Sequence, residues 1–386
     1  MSAPRIERHR HSCPCVLKTD SEPALVVRFS VVGFVVQTRA MSSVTISPTR
    51  SASSPVKGIT GHPGDTGKLS FSVSPEATRM PSDTPWILDA DMTRIALIGA
   101  SGQLGTDLHR QLVGEIIPID HTALEITQPD SIRTMLDTVV PTMVVNTAAY
   151  NLVDKAESEP DTAMAVNAWG VKSLAEQCGS RGITLVHIGT DFVFGLGGAG
   201  RNTAWTEEEA PGPESVYAAS KLLGEYFVRS FCPQHFVIRT CGLYGRAATK
   251  AKGNFVQTML RLARERPEIK VVSDQRCVPS YTRDVAEIIA ALITTKAYGL
   301  YHATNSGGAS WYEVAREAVR LAGLTTPVTP ITSAEFPAKA KRPANSWLDC
   351  HKIETVTGRT LRPWQAALAA YLQETGDLLS GVEGVI

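Results

Sequence analysis

The sequence predicts an α/β fold, a doubly wound parallel sheet with a smaller C-terminal region. Three observations carry it. Arg94–Ile98 is a short apolar run that passes at once into Gly99-Ala100-Ser101-Gly102-Gln103-Leu104-Gly105 and then into Leu108 and Leu112 at helical spacing. A second run, Ile116–Ile119, ends in an acid, Asp120. Strand and helix patterns then go on alternating, which is how a parallel sheet covered on both faces reads.

The first unit is a strand, a glycine-rich turn and a helix. Its glycines, Gly99, Gly102 and Gly105, permit the tight turn, let the backbone approach a pyrophosphate, and allow the helix to pack closely on the strand. The free N–H groups of the helix start then face the phosphates. Asp120 stands about twenty residues on, where a ribose-binding acid is expected. Together these features predict a Rossmann-type dinucleotide site. Met143–Val145 continues as a strand, Thr162–Cys178 as a helix, and Leu185–Ile188 and Phe236–Ile238 as strands. Ligands of such sheets bind beyond the carboxyl ends of the strands. Two of those ends carry Asn146-Thr147-Ala148-Ala149-Tyr150 and Gly189-Thr190-Asp191. Small residues at 148 and 149 either let a flat cofactor ring lie near the backbone or pack a crowded turn.

Tyr217-Ala218-Ala219-Ser220-Lys221 opens a predicted helix, and four-residue spacing sets the phenol and the ammonium on one face. Reduction of a ketone by hydride leaves an alkoxide that must receive a proton. A free phenol, with a pKa near 10, exchanges poorly at neutral pH. A neighbouring Lys⁺ and a cationic nicotinamide are expected to lower that value, making Tyr217 the proton donor and Lys221 its partner. Thr190 is the natural third member, a hydroxyl at a strand end able to donate to the substrate carbonyl. Its competing role is formation of the turn. Asp191 either binds a sugar hydroxyl or satisfies local N–H groups.

Further elements follow: a helix over Phe255–Arg264, a strand over Ile269–Val272, a helix over Val285–Ile293, a strand over Leu300–Ala303, and helices over Trp311–Leu321 and Trp364–Leu372. Val278–Tyr281 reads as an irregular turn. Arg276, Arg283 and Arg342 are candidates for a nucleotide diphosphate, because guanidinium forks suit phosphate geometry. The expected organisation is an N-terminal extension over 1–91, a nucleotide-binding domain over 93–242 completed by later segments, a substrate region over 243–376, and a tail over 377–386.

Composition narrows the classes. The 386 residues carry 38 basic and 38 acidic side chains, which argues against a dedicated nucleic-acid surface. The longest apolar runs, such as Val32–Val36, fall far short of a membrane span. Seven scattered cysteines, without zinc spacing or a disulfide framework, point to free thiols in a reducing cytoplasm and to no metal site. Residues 1–91 are rich in Ser, Thr, Pro and Arg, and disorder is expected over most of them, with one candidate strand in 24–37. Met92 directly precedes the first convincing strand, so an overextended start is also an expectation.

From Thr93 to about Glu374 the chain resembles the dTDP-4-dehydrorhamnose reductase family of extended short-chain dehydrogenases. The resemblance rests on the GxxGxxG spacing of Gly99–Gly105, then VNTAAYNLVDKAESE (145–159), HIGTDFVF (187–194), VYAASKLLGE (216–225), RTCGLYG (239–245), NFVQTMLRL (254–262), Asp274-Gln275 and RPANS (342–346). It implies reduction of a 4-keto nucleotide sugar, dTDP-4-dehydro-L-rhamnose, with Tyr217 as proton donor, Lys221 its partner, Thr190 tuning the tyrosine and Asp191 touching substrate. It implies that Gly102, Gln103 and Leu104 hold the pyrophosphate, that Asp120, Glu125 and Ile126 meet the adenosine end, and that Ala148, Ala149 and Tyr150 form the next cofactor contact. Asp120 favours NADH by charge, while the family accepts NADPH readily. Members can dimerise around magnesium, so Mg2+ and a homodimer are implied by the resemblance alone. The chain departs from the family at Gly242, where a tryptophan is usual, which implies lost stacking surface and a wider pocket. It departs also at Gly189 and Phe192, where Ser and Tyr are usual. Two other readings remain: a related reductase or epimerase on another sugar, and a cofactor-binding subunit without catalysis, similar to the regulatory subunit of methionine adenosyltransferase.

Overall fold

The computed structural model describes two strands near the N terminus, residues 93–247 and residues 253–379. The disorder expected over 1–91 lies outside the described residues, apart from those strands. They are β1 (Pro14–Leu17) and β2 (Leu25–Arg28), an antiparallel pair; β2 falls within the stretch where a strand was expected.

From Thr93 the chain runs β3 (Arg94–Ile98), α1 (Gln103–Gln111), β4 (Glu115–Ile119), α2 (Pro129–Val139) and β5 (Met143–Asn146). It continues through the short α3 (Val153–Ala156) and α4 (Pro160–Met164), a π-helical stretch over Ala165–Gly170, α5 (Val171–Arg181), β6 (Thr184–Thr190), α6 (Val216–Phe231) and β7 (His235–Thr240). The helix expected over Thr162–Cys178 is thus interrupted by the π stretch. Helix α2 starts with Pro129, whose missing N–H costs nothing at a helix start. Gly182, at φ +67°, ends α5 in the left-handed conformation that closes many helices.

The chain then forms β8 (Leu243–Tyr244), α7 (Phe255–Glu265), β9 (Ile269–Val272), β10 (Arg276–Cys277), β11 (Ser280–Tyr281), α8 (Thr282–Ile293), β12 (Gly299–His302) and β13 (Ala309–Ser310). It closes with α9 (Trp311–Leu321), β14 (Val328–Ile331), α10 (His351–Thr357) and α11 (Trp364–Thr375). The turn expected at Val278–Tyr281 is irregular only at its start, since Ser280 and Tyr281 pair in parallel with Leu243 and Tyr244.

Six strands form one parallel sheet in the order β12-β7-β6-β5-β3-β4. Strand β3 pairs with both β4 and β5, so the chain reverses direction across the sheet there, and a crevice opens at the carboxyl ends of β3 and β5. Alternate residues of β3 serve opposite faces. Ile95 and Leu97 pack with Leu104 and Leu108 of α1 and Ile288, Ile289 and Leu292 of α8. Ala96 and Ile98 pack with Ile132 and Leu136 of α2, Leu174 of α5 and Val228 of α6. Each fully buried Leu or Ile contributes about 1.5–3 kcal/mol by leaving water. A separate cluster in the C-terminal region joins Val256 and Leu260 of α7, Val314 and Ala318 of α9, and Leu368, Tyr371 and Leu372 of α11.

Candidate active site

The glycine turn is shaped by close backbone approach. Gly99 sits at φ +78°, and a Cβ there would come within 2.6 Å of the Thr147 hydroxyl. A Cβ at Gly105 would lie 2.2 Å from the Gly99 carbonyl, so Gly105 is what lets α1 rest on the turn. Helix α1 begins at Gly102 with no capping side chain and no acid in its first turn, leaving its N–H groups and dipole open to an anion. This cradle fits a dinucleotide pyrophosphate. Leu104 points into the core, whereas Gln103 turns to the C-terminal region, its Oε1 accepting from the Gly245 N–H at 3.0 Å.

The Gly99 N–H donates to the Ile119 carbonyl at 3.2 Å, which brings the exposed Asp120 beside the turn. Asp120 Oδ1 accepts from the Thr122 hydroxyl and from the Thr122 and Ala123 N–H groups, and these bonds hold its carboxyl below the usual range. Oδ2 takes part in none of them. Glu125 is held ionised in the same way by Thr127, but Ile126 packs its side chain into the core. The adenosine end expected at 125–126 is therefore available only through Glu125 and the backbone. Thr147 bonds back to Ile98 through its N–H at 3.0 Å and its hydroxyl at 2.8 Å, which sets Ala148 and Ala149 across the crevice from the glycine turn. Tyr150 follows them, with its phenol tied to Glu159 at 2.8 Å.

Ser215 caps α6 by accepting from the Ala218 N–H at 3.2 Å, placing Tyr217 in the first turn and Lys221 one turn later. Buried Lys221 donates to the Ile188 carbonyl of β6 at 2.5 Å, and burial pushes its ammonium down to about 8 against the pull of Glu225. The Tyr217 phenol is pushed up to about 12, chiefly by burial; the Thr190 hydroxyl lowers it and Asp191 and Glu225 raise it. Burial outweighs any lowering by Lys221, whose ammonium meets the Ile188 carbonyl. Tyr217 is a neutral acid. Phe192 packs edge-on to its ring, with centroids 5.6 Å apart.

Asp191 is 3% exposed. Its Oδ1 accepts from Thr190 at 3.3 Å, and its Oδ2 accepts from Ser346 at 2.5 Å and from the Cys241 thiol at 2.9 Å. Burial raises its carboxyl to about 6 against these three donors. Its side-chain bonds thus hold Thr190 and the 346 segment together, and its own backbone N–H also meets the carboxyl, in keeping with one of the two expected roles.

A cavity of about 330 Å³ opens from Asp191 and Phe192 into the C-terminal region. Among the three candidate arginines, Arg276 and Arg342 line it. Arg342 forms a two-pronged pair with Asp154 at 2.8 and 3.1 Å, so its charge is largely met. Arg276 lies over Trp347, and its buried Nε has no hydrogen-bond partner. Arg283 pairs with Glu287 on α8, both well exposed, and is not part of the lining. The wider pocket expected at Gly242 is not found: a Cβ there would lie 3.1 Å from Cη2 of Trp311, which occupies that space. At Gly189 a Cβ would meet the Glu225 carboxylate at 2.5 Å.

Several residues emerge only in three dimensions. Asn167, in the π stretch, accepts from the Tyr150 N–H and donates to the Tyr150 carbonyl and the Ser220 hydroxyl, and Ser220 donates to the Tyr217 carbonyl. This ties the β5 loop to the first turn of α6. Cys241, Ser346 and Trp311 belong to the same group. Their only signal in sequence was position inside the RTCGLYG and RPANS segments, or none for Trp311. Among the described residues no group of three or more His, Cys, Asp or Glu is placed to hold a metal ion.

A phenol and an ammonium one helical turn apart, beside a glycine-rich nucleotide crevice, place the chain among the short-chain dehydrogenases. The family model described as "RmlD substrate binding domain" matches residues 92–376. The spore coat polysaccharide biosynthesis protein SpsK of Bacillus subtilis is 39% identical, over 73% of this chain and 98% of its own. A dTDP-4-dehydrorhamnose reductase of Aggregatibacter actinomycetemcomitans is 36% identical, over 72% of this chain and 97% of its own. The crystal structure of dTDP-4-dehydrorhamnose reductase from Bacillus anthracis in complex with NADP is 36% identical, covers 73% of this chain and 100% of that one, and superposes with a TM-score of 0.69. The chain belongs to the dTDP-4-dehydrorhamnose reductase family.

Proposed function

We propose that this chain is an NADPH-dependent reductase of a nucleotide-activated 4-keto sugar, converting dTDP-4-dehydro-L-rhamnose to dTDP-L-rhamnose. The observation that carries the reading is the gathering of Thr190, Tyr217 and Lys221 beside a cavity that opens from Asp191 and Phe192 and that Arg276 also lines. The bound nicotinamide supplies the hydride. The residues of this chain do the rest. The α1 start, with Gly99, Gly102 and Gly105, receives the pyrophosphate, Asp120 Oδ2 takes a ribose hydroxyl, and Ala148 and Ala149 leave room for the cofactor beside β5. Lys221 reaches under the site from α6 to hold the nicotinamide ribose. Arg276, which lines the cavity, brings its positive charge to the diphosphate of the sugar nucleotide.

Tyr217 then gives its proton to the oxygen at C4 as that oxygen gains charge, and Thr190 donates to the same oxygen and keeps the phenol in line. The neutral state of Tyr217 suits this direction, since an acid is what reduction consumes. Asp120 and the 2′-phosphate of NADPH are both anionic, so NADPH is accepted only if the phosphate turns away from the carboxylate. A subunit that only bound the cofactor would have no use for Thr190 and Tyr217 as donors to a carbonyl oxygen. On this reading residues 93–242 with α8 and β12 hold the cofactor, and the region over 243–376 holds the nucleotide sugar. Buried free thiols at Cys178, Cys232, Cys241 and Cys277 fit a cytoplasmic site of action.

Replacement of Tyr217 by Phe tests this. Turnover of NADPH with dTDP-4-dehydro-L-rhamnose should fall by about 10²–10⁴-fold, the share general acid catalysis supplies, while NADPH affinity stays within a few-fold. Turnover kept within a few-fold would refute Tyr217 as the donor.

A further inference from the structure

The end of the cavity nearest the chemistry is walled by an aromatic side chain that no motif foretold. We propose that Trp311 sets specificity for the sugar by laying its indole against the pyranose ring, and that Gly242 is the residue that admits it. This rests on the reading of the substrate as a nucleotide sugar.

The placement of Trp311 is built from three supports. Strand β13 pairs antiparallel with β10, setting Ser310 opposite Arg276 and Ala309 opposite Cys277, so the next residue, Trp311, emerges beside the cavity floor. Ser310 and Glu313 form a reciprocal capping box, which fixes where α9 begins and hence where Trp311 points. Phe255, the first residue of α7, backs the indole at a centroid distance of 4.6 Å. Both rings line the cavity.

The depth of Trp311 follows from Gly242. Its neighbour Cys241 donates to Asp191, which adjoins Thr190, so position 242 lies at the end of the cavity where a carbonyl would react. Gly242 adopts φ +52°, and a Cβ there would stand 3.1 Å from Trp311 Cη2 and 3.2 Å from the Val278 carbonyl. The indole tip therefore reaches the sugar end, while Arg276 stands where the diphosphate would follow. A pyranose ring has an apolar C–H face, and an indole is the largest flat surface a protein can set against it. Met259, Lys270 and Val271 line the same cavity and are left for the nucleoside.

Titration calorimetry on the full chain, with dTDP and with dTDP-L-rhamnose as separate ligands, tests this. Trp311→Ala should weaken dTDP-L-rhamnose binding by about tenfold, as loss of an aromatic contact does, and leave dTDP within about twofold. Trp311→Phe should recover most of the loss. Gly242→Ala, strained and pressed on the indole, should reproduce the selective loss. Unchanged NADPH affinity in each variant shows that the fold is intact. If Trp311→Ala weakens both ligands equally, or neither, the proposal is overturned while the substrate reading stands. A wild-type chain that binds neither ligand overturns the substrate reading, and the proposal with it.

Discussion

Tyr217 and Lys221 carry opposite shifts, the phenol up to about 12 and the ammonium down to about 8, each driven by burial. Across neutral pH Tyr217 therefore keeps its proton, and Lys221 is the group that titrates nearest working conditions. Its charged form is the useful one, so kcat/KM should fall as pH rises through about 8, and a pH profile of the wild type checks it. Lys221→Arg, which stays charged, should remove that limb whatever its residual rate. A wild-type limb near the ordinary lysine value would contradict the account. The same shift acts on stability. Between about 8 and 10.5 the unfolded chain holds a proton that the folded chain has released, so this group makes stability rise with pH there. The phenol and ammonium were legible in the sequence because four-residue spacing is a local signal. The partners of Asp191 were not: Cys241 and Ser346 stand 50 and 155 residues away from it, and nothing local marks a bond of that reach. Cys241→Ala should lower kcat several-fold through a misplaced Thr190, with Cys241→Ser restoring it, since a hydroxyl can still donate to the carboxylate.

Helix α6 carries both Tyr217 and Lys221, and a buried ion pair anchors it to the sheet. Glu225, one turn beyond Lys221, accepts from Arg239 of β7 at 2.8, 3.0 and 3.3 Å, and the two side chains are 1% and 2% exposed. Gly189 on the intervening β6 gives them room. Removing one partner strands the other, so Glu225→Ala should cost about 3–5 kcal/mol in denaturant unfolding. A loss below about 1 kcal/mol would mean that α6 is anchored by its apolar face alone. The glycine turn makes a similar demand in a smaller space. A Cβ at Gly105 would meet the Gly99 carbonyl, so Gly105→Ala should cost about 1–3 kcal/mol and weaken NADPH binding, both measurable on one preparation. Apolar period and glycine spacing make β3, the turn and α1 legible in the residues themselves. The π stretch at Ala165–Gly170 is not legible there, because its pattern of apolar residues is that of an ordinary helix and the bonds its Asn167 makes run to Tyr150 and Ser220, 17 and 53 residues away.

In the molecule from Thr93 onward, the six-stranded sheet is not finished by residues 93–242 alone. Strand β12 takes the edge of the sheet beside β7, and α8 covers α1, so elements from beyond residue 280 complete a core begun near residue 94. The alternation of elements forecasts the parallel sheet, but only pairing in space shows that a late strand joins it. One consequence is that residues 93–242 cannot part from α8, β12 and Ile353 of α10 without opening that core. In the proposed reaction hydride passes from the nicotinamide to C4 of a sugar. The most direct measurement uses NADPH deuterated at the transferring position of the nicotinamide, dTDP-4-dehydro-L-rhamnose, and mass and nuclear magnetic resonance analysis of the product. The account predicts dTDP-L-rhamnose carrying one deuterium at C4. Product without deuterium, deuterium at another carbon, or cofactor that binds and is never oxidised would contradict it.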